Sequence, residues 1–285
     1  MHPLDYSSER VTQVTSMYSD GLSIYQISQL TGIPKSTIGR YVKACGKSRS
    51  RALAQRKYNK RETLVPKQWT FSEMCPHKTW VLGLIYGDGS IQKNGSAFYI
   101  VSGDYDILQK VQAIFGGNIS ISKEQRARNC WRVAICSTWL LTELKDLFGI
   151  DHRKVTEMRF PQLSRDLYSH FVRGLIDSDG SWGIFQRANG PVLSFTYSTV
   201  AENFAKDLKY VLDEELHISS KRKIYSSSRL PYKTLYQIKY DSSTAVRIGE
   251  WAYANSDTTM RCDRKYEFWN NNRRSIFPVR WEKGL

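Results

Sequence analysis

The run His170-Phe171-Val172-Arg173-Gly174-Leu175-Ile176-Asp177-Ser178-Asp179-Gly180-Ser181 has a looser copy upstream, Trp80-Val81-Leu82-Gly83-Leu84-Ile85-Tyr86-Gly87-Asp88-Gly89-Ser90. Each copy reads as an apolar helix that stops at an acid followed by Gly, and Asp88 and Asp179 lie 91 residues apart. That distance allows one small αβ unit per copy. A carboxylate at a helix C-terminus faces the negative end of the dipole, where charge is disfavoured by up to ~1 kcal/mol, so something cationic is expected beside it. Gly83 and Gly87 on one helix, and Gly174 and Ser178 on the other, share a four-residue spacing that permits close backbone approach. Such a packing brings both carboxylates together, where they also repel. A divalent metal held by Asp88 and Asp179, with Gly87 and Ser178 beside them, resolves both problems, and oxygen-only ligands suit Mg²⁺. The alternative for either copy alone is a helix stop signal, since Gly terminates helices and Asp tolerates turns.

Gly-Leu-Ile-x-x-Asp-Gly, twice, with this separation, resembles a single-chain LAGLIDADG homing endonuclease. The second copy matches the motif well; the first departs from it at Val81, Leu82, Tyr86 and Gly87 while keeping Gly83-Leu84-Ile85 and Asp88-Gly89. The resemblance implies an α+β fold of two pseudo-twofold-related αββαββα repeats forming a DNA-binding saddle. It also implies a monomer that acts as a pseudo-dimer on a long double-stranded DNA site, of the kind carried by mobile genetic elements. Mg²⁺ is the expected cofactor, with Mn²⁺ substituting and Ca²⁺ supporting binding only. In the family a basic residue near each metal helps activate water; Lys239 is the candidate in the second half, an ordinary phosphate contact being its alternative role. Ala134 occupies the equivalent position in the first half, which leaves that auxiliary residue unassigned and suggests unequal cutting rates, with Gln92 and Arg187 as further candidates near the metals. A non-cleaving DNA- or RNA-binding protein of the same fold, a transcription regulator or intron maturase, is the second reading. An intein is not expected, because Met1 and Lys283-Gly284-Leu285 do not supply nucleophile-flanked junctions.

Composition agrees with a polyanionic partner. The chain has 285 residues and a formal charge of +15, with 13% aromatics and no apolar run of membrane length. Five cysteines, Cys45, Cys75, Cys130, Cys136 and Cys262, show no ligand spacing and read as reduced packing residues. The five scattered histidines receive no catalytic or metal role. The N-terminus lacks a secretory pattern, so an intracellular setting is expected, in a bacterial or phage-infected cytoplasm rather than an organelle.

Residues 1–46 form a small all-α module, with helices expected over 10–18, 23–30 and 35–44 and a core of Ile24, Ile27, Leu30, Ile33, Ile38 and Val42. Gly21-Leu22-Ser23-Ile24-Tyr25-Gln26-Ile27-Ser28-Gln29-Leu30-Thr31-Gly32-Ile33-Pro34-Lys35-Ser36-Thr37-Ile38-Gly39-Arg40-Tyr41-Val42 resembles a homeodomain-like or resolvase-type helix-turn-helix. On that resemblance Lys35, Ser36, Thr37, Arg40 and Tyr41 face DNA; a helical bundle that docks on protein is the alternative. Residues 47–75 are a linker, strongly basic as far as Lys67, which can follow the phosphate backbone or serve as a solvated connector.

Residues 76–150 are the first repeat and 151–285 the second, the latter ending in a basic, aromatic tail. Hairpins are expected at 90–102 and 118–136, then at 181–198 and 221–240, with closing helices at 138–148 and 242–254 and Asp104 as a helix cap. Alternation places Tyr236, Ile238 and Tyr240 on the core face, and Gln237 and Lys239 on the other. The DNA-facing candidates are Gln92, Asn94, Arg126, Arg128, Arg132, Arg187, Ser194, Thr196, Lys221, Lys223 and Lys233.

Overall fold

The computed structural model describes residues 8–20, 22–46, 65–66, 69–92, 95–116, 119–125, 129–151, 156–188, 190–219, 223–228 and 233–273. The chain divides into two units, Met1–Glu62 and Thr63–Leu285.

In the first unit, α1 (Ser8–Ser19), α2 (Ile24–Thr31) and α3 (Lys35–Ala44) follow one another. Ser23 starts α2 through a capping box: its hydroxyl accepts from the Gln26 N–H, and the Gln26 side chain accepts from the Ser23 N–H. Gly32, at φ +68°, ends α2, since that left-handed conformation is open to a residue without a Cβ. Val14, Tyr18, Ile27, Ile38, Tyr41 and Val42 form the core, with Ile24 and Ile33 against it. Two expectations are corrected. Leu30 is 66% exposed, because it falls off the α2 stripe that carries Ile27, and Tyr41 is buried at 4%, turned inward with Val42 rather than toward a partner.

The second unit repeats one element order twice. First come α4 (Pro76–Asp88), β1 (Gly89–Ile91), β2 (Phe98–Ser102), α5 (Tyr105–Ile114), β3 (Ile121–Lys123), β4 (Trp131–Ile135) and α6 (Thr138–Phe148). After a 3-10 turn (Arg165–Leu167) follow α7 (Tyr168–Asp177), β5 (Ser181–Arg187), β6 (Gly190–Thr199), α8 (Glu202–Glu215), β7 (Tyr225–Ser227), β8 (Leu235–Asp241) and α9 (Ser242–Tyr253). The two antiparallel sheets have matching orders, β1-β2-β4-β3 and β5-β6-β8-β7. Their registers also match: Ser90 lies opposite Tyr99, which lies opposite Ala134, and Ser181 lies opposite Thr196, which lies opposite Lys239. Inner faces are apolar at Phe98, Ile100, Val133 and Ile135, and at Leu193, Phe195, Tyr197, Ile238 and Tyr240, as period-two alternation requires.

The helices α4 and α7 are buried along most of their length because they pack on each other, α4 also on β1 and β2 and α7 also on α9. A Cβ on Gly83 would meet the Phe171 carbonyl and come within 2.8 Å of the Gly174 Cα, and one on Gly174 would strike the Trp80 carbonyl. Backbones therefore touch where glycines face each other. On either side of this contact, Trp80 donates to Asp177 at 2.8 Å, and at the related place Tyr86 meets Phe171 edge-on at 5.0 Å.

The basic, aromatic tail, to which the sequence reading assigns no element, contains a helix, α10 (Asp263–Arg273). Its weak amphipathic pattern hid it, and tertiary contacts hold it: Trp269 occupies the space a side chain at Gly249 would take, and Tyr253, Tyr266 and Trp269 form an aromatic cluster. Asp104 does stand at the N-terminal cap position of α5, but its side chain makes no cap bond; it receives two hydrogen bonds from Arg264 of α10, at 2.7 and 2.8 Å.

Candidate active site

The paired helices end side by side, and their acids come with them. A Cβ on Gly87 would meet Ser178, at 2.6 Å from its Cβ, and lie 3.3 Å from an Asp179 carboxylate oxygen. Only glycine leaves room for that approach. Burial, and then repulsion from Asp179, push the Asp88 carboxyl up to about 7, while Lys265 pulls the other way. Asp179 is likewise raised by burial and drawn down by Lys265. Two buried carboxylates, one of which the other hinders from ionising, make a site short of positive charge. The oxygens of Asp88 and Asp179, with the backbone of Gly87 and Ser178 alongside, are donors of the kind that a hard divalent cation takes. The Ser178 carbonyl already accepts a hydrogen bond from Lys265 at 2.6 Å, so it has one lone pair left to offer.

Lys265 was not anticipated from sequence. From α10 its ammonium donates to the carbonyls of Ile176, Ser178 and Gly180 at 2.8, 2.6 and 2.8 Å. The cation demanded at the end of an acid-tipped helix is thus supplied in part by the chain. Asp177 was also passed over: it is 1% exposed, accepts from Trp80 and Tyr253, and is raised by burial to about 6. Arg173 of α7 is wholly buried and spends its donors on Met260, Ala252 and His170, which makes it a structural tie between α7 and the chain around α9. A position inside a motif gives no sign of which of these residues the fold uses for packing.

Lys239 is exposed on the face of the second sheet away from the core, its ammonium 5.8 Å from the Phe185 ring. Arg187 lies on the same face, 5.3 Å from that ring, and is paired with Asp241 at 2.5 Å. Thr196 lies opposite Lys239; Ser194 is 7% exposed and donates to the Gly183 carbonyl at 3.2 Å, so little of it is left for a partner. In the first half, Arg132 stacks on Tyr99 at 5.1 Å and meets Glu124 at 3.4 Å, and the Tyr99 hydroxyl donates to Gln92 at 3.1 Å. Lys223 and Lys233 are exposed beside the strands of the second sheet. Asn94, Arg126, Arg128 and Lys221 lie outside the described residues. On α3, Lys35, Ser36 and Arg40 are at the surface, Thr37 is partly covered, and Lys35 sits 4.4 Å from the Tyr25 ring.

A second acidic group, Asp104, Asp106 and Cys262, has its potential ligand atoms within 4.8 Å of one another. Arg264 answers Asp104, and Lys110 answers Asp106 at 3.0 Å. These charges are already matched within the fold.

Residues 166–250 match the model of the LAGLIDADG-like domain. No curated protein sequence matches the chain. Among solved structures, the I-SmaMI LAGLIDADG homing endonuclease bound to cleaved DNA is similar at 16% identity, over 70% of this chain and 88% of that one, with a TM-score of 0.44. I-SmaMI bound to an uncleaved DNA target in the presence of calcium ions is similar at 13% identity, over 72% and 98%, with a TM-score of 0.39. The full-length DUF199/WhiA protein from Thermatoga maritima is similar at 15% identity, over 76% and 66%, with a TM-score of 0.42.

Proposed function

We propose that this protein is a site-specific double-strand DNA endonuclease of the LAGLIDADG homing type, whose two sheets form the DNA-reading surface and whose paired helix ends hold the cleavage site. The observation that carries the reading is the pair Asp88 and Asp179, brought together by glycine contacts at the ends of two helices, each leading directly into the first strand of a sheet. A pure binder has no use for two carboxylates aimed at phosphates, which repel them.

Asp88 and Asp179 would hold Mg²⁺, and the bound metal supplies a water of lowered pKa and neutralises charge on the scissile phosphates. Lys239, opposite Thr196 on the second sheet, would help orient the attacking water or the scissile phosphate through its ammonium. The sheet faces away from the core would lie in the major groove, which admits antiparallel ribbons, with Gln92, Arg132, Arg187, Lys223 and Lys233 as contacts. Asn94, Arg126, Arg128 and Lys221 belong to the same proposal. The first unit would add a helix-turn-helix contact through Lys35, Ser36, Thr37 and Arg40, with residues 47–75 as the basic tether.

The experiment is incubation with a randomised-site DNA library in Mg²⁺ and, in parallel, in Ca²⁺, with both cut and bound molecules sequenced. Cut ends at one long site in Mg²⁺, with binding alone in Ca²⁺, are expected. Enriched binding without cut ends in either ion would replace this reading with that of a regulator or maturase.

A further inference from the structure

We infer that Lys265 is a positioning residue for the second motif acid: through α10 it holds the turn at residues 176–180, and Asp179 within it, in the arrangement that cleavage requires. The inference rests on the endonuclease reading above. Three carbonyls converge on one ammonium, those of Ile176, Ser178 and Gly180, at 2.6–2.8 Å. A lysine head group presents three donors around a compact charge, which suits a cup of carbonyls better than a planar guanidinium does. The turn it grips is no continuation of the helix. Ser178 leaves the helical region at φ −84°, ψ −88°, and the Asp179 and Gly180 amides both return to the Leu175 carbonyl, at 3.1 and 2.9 Å. With those amides committed to one side and the carbonyls to Lys265 on the other, the backbone that bears the Asp179 side chain is fixed from both directions.

The lysine is itself held in place. Trp269 packs α10 against Gly249 of α9. At the other end, Arg264 binds Asp104 through two hydrogen bonds, Lys110 reaches Asp263 at 2.8 Å and the Arg261 carbonyl at 2.7 Å, and the Asp263 amide donates to Asp106 at 3.2 Å. Asp104, Asp106 and Lys110 all belong to the first half. The helix therefore braces the second motif turn against α5 of the opposite half. Among the described residues the first half has no helix in the matching place, where a 3-10 turn leads into α7. The three carbonyl bonds of the clamp all fall on the turn that bears Asp179.

Lys265→Met removes the charge and donors while keeping the stem. Hydrogen exchange of the metal-free protein, read on peptides spanning residues 176–181, is expected to quicken by about tenfold or more, while peptides from α9 and the sheets stay unchanged. On the DNA site recovered from the library, kcat is expected to fall by about tenfold or more, with KM and affinity in Ca²⁺ within about threefold. Lys265→Arg, which keeps charge and donors, is expected to recover part of kcat. Unchanged exchange at 176–181, unchanged kcat in a folded variant, loosening spread equally over the unit, or no recovery with arginine would each overturn the inference. If the methionine variant does not fold, Lys265→Gln, which retains one donor group, is read by the same criteria. If the unaltered protein cuts no DNA, the endonuclease reading fails, and the exchange measurement still decides whether the clamp exists.

Discussion

In the proposed function Asp88 and Asp179 would act only as carboxylates, and their surroundings resist ionisation: burial, and then repulsion from Asp179, raise Asp88 to about 7. Asp88→Asn and Asp179→Asn should each slow double-strand cutting by at least about a hundredfold, because a metal-held water and charge neutralisation are worth several kcal/mol in the transition state. Binding in Ca²⁺ should survive, since the proposed DNA contacts are on the sheets and not at these acids; undiminished cutting in both variants would remove the metal assignment. A pH dependence follows from the same acid. Its folded-state pKa lies above the unfolded value of 3.8, so its contribution to stability is complete below about pH 4 and is lost as pH rises through about 7. In metal-free protein the unfolding free energy should fall more steeply from about pH 4.5 to pH 7.5 than in Asp88→Asn, by at most about 4 kcal/mol over the range. Equal slopes in urea titrations would show that Asp88 ionises normally. Both acids were legible as a pair from the doubled motif. Lys265 was not, because a single lysine in a basic segment carries no mark of the carbonyls that it meets.

At the scale of elements, the contact between α4 and α7 depends on glycine. Gly83→Ala would drive a Cβ into the Phe171 carbonyl, a backbone atom with no rotamer to yield. The helices must then part, at a cost of about 1–3 kcal/mol or more, read as a lowered midpoint in urea, with weakened cutting in folded protein. A variant as stable and active as the original would contradict the close contact. In the sheets, register makes Ala134 the positional partner of Lys239. If Lys239 assists only the second site, a supercoiled plasmid bearing the target should pass through a nicked form, and Lys239→Met should slow the first break by about tenfold to a hundredfold, the lower range of proton-transfer catalysis. Linear product without a nicked intermediate would show the sites to be equal. Strand faces were readable because Leu193, Phe195, Tyr197, Ile238 and Tyr240 alternate with polar neighbours. The helix α10 was unreadable because its burial is concentrated at Trp269, and its charged residues serve as ties rather than as a solvated face.

For the whole molecule, a charge of +15 predicts salt-sensitive DNA binding. Deleting residues 1–46 should weaken affinity and shorten the recognised site while cutting persists, because both acids lie in the unit Thr63–Leu285. The slope of log K against log salt should become shallower by about 0.9 for each phosphate contact removed. Complete loss of cutting, with the remaining unit folded and bound to DNA, would contradict that division. No helix among the described residues is long and apolar enough to cross a membrane.

The sequence by itself determined the doubling, the apolar helices ending in Asp-Gly, the glycine spacing and the alternation of the strands, because each is a periodic pattern that local stereochemistry converts directly into a face or a stop. Only the tertiary structure decided that Tyr41 and Arg173 turn inward, that Arg187 is paired with Asp241, and that α10 returns to place Lys265 under the second motif. These depend on which distant backbone or carboxylate meets each long side chain once the sheets have closed over the helices. No local pattern encodes a contact between residues almost ninety positions apart, as Lys265 and Ser178 are.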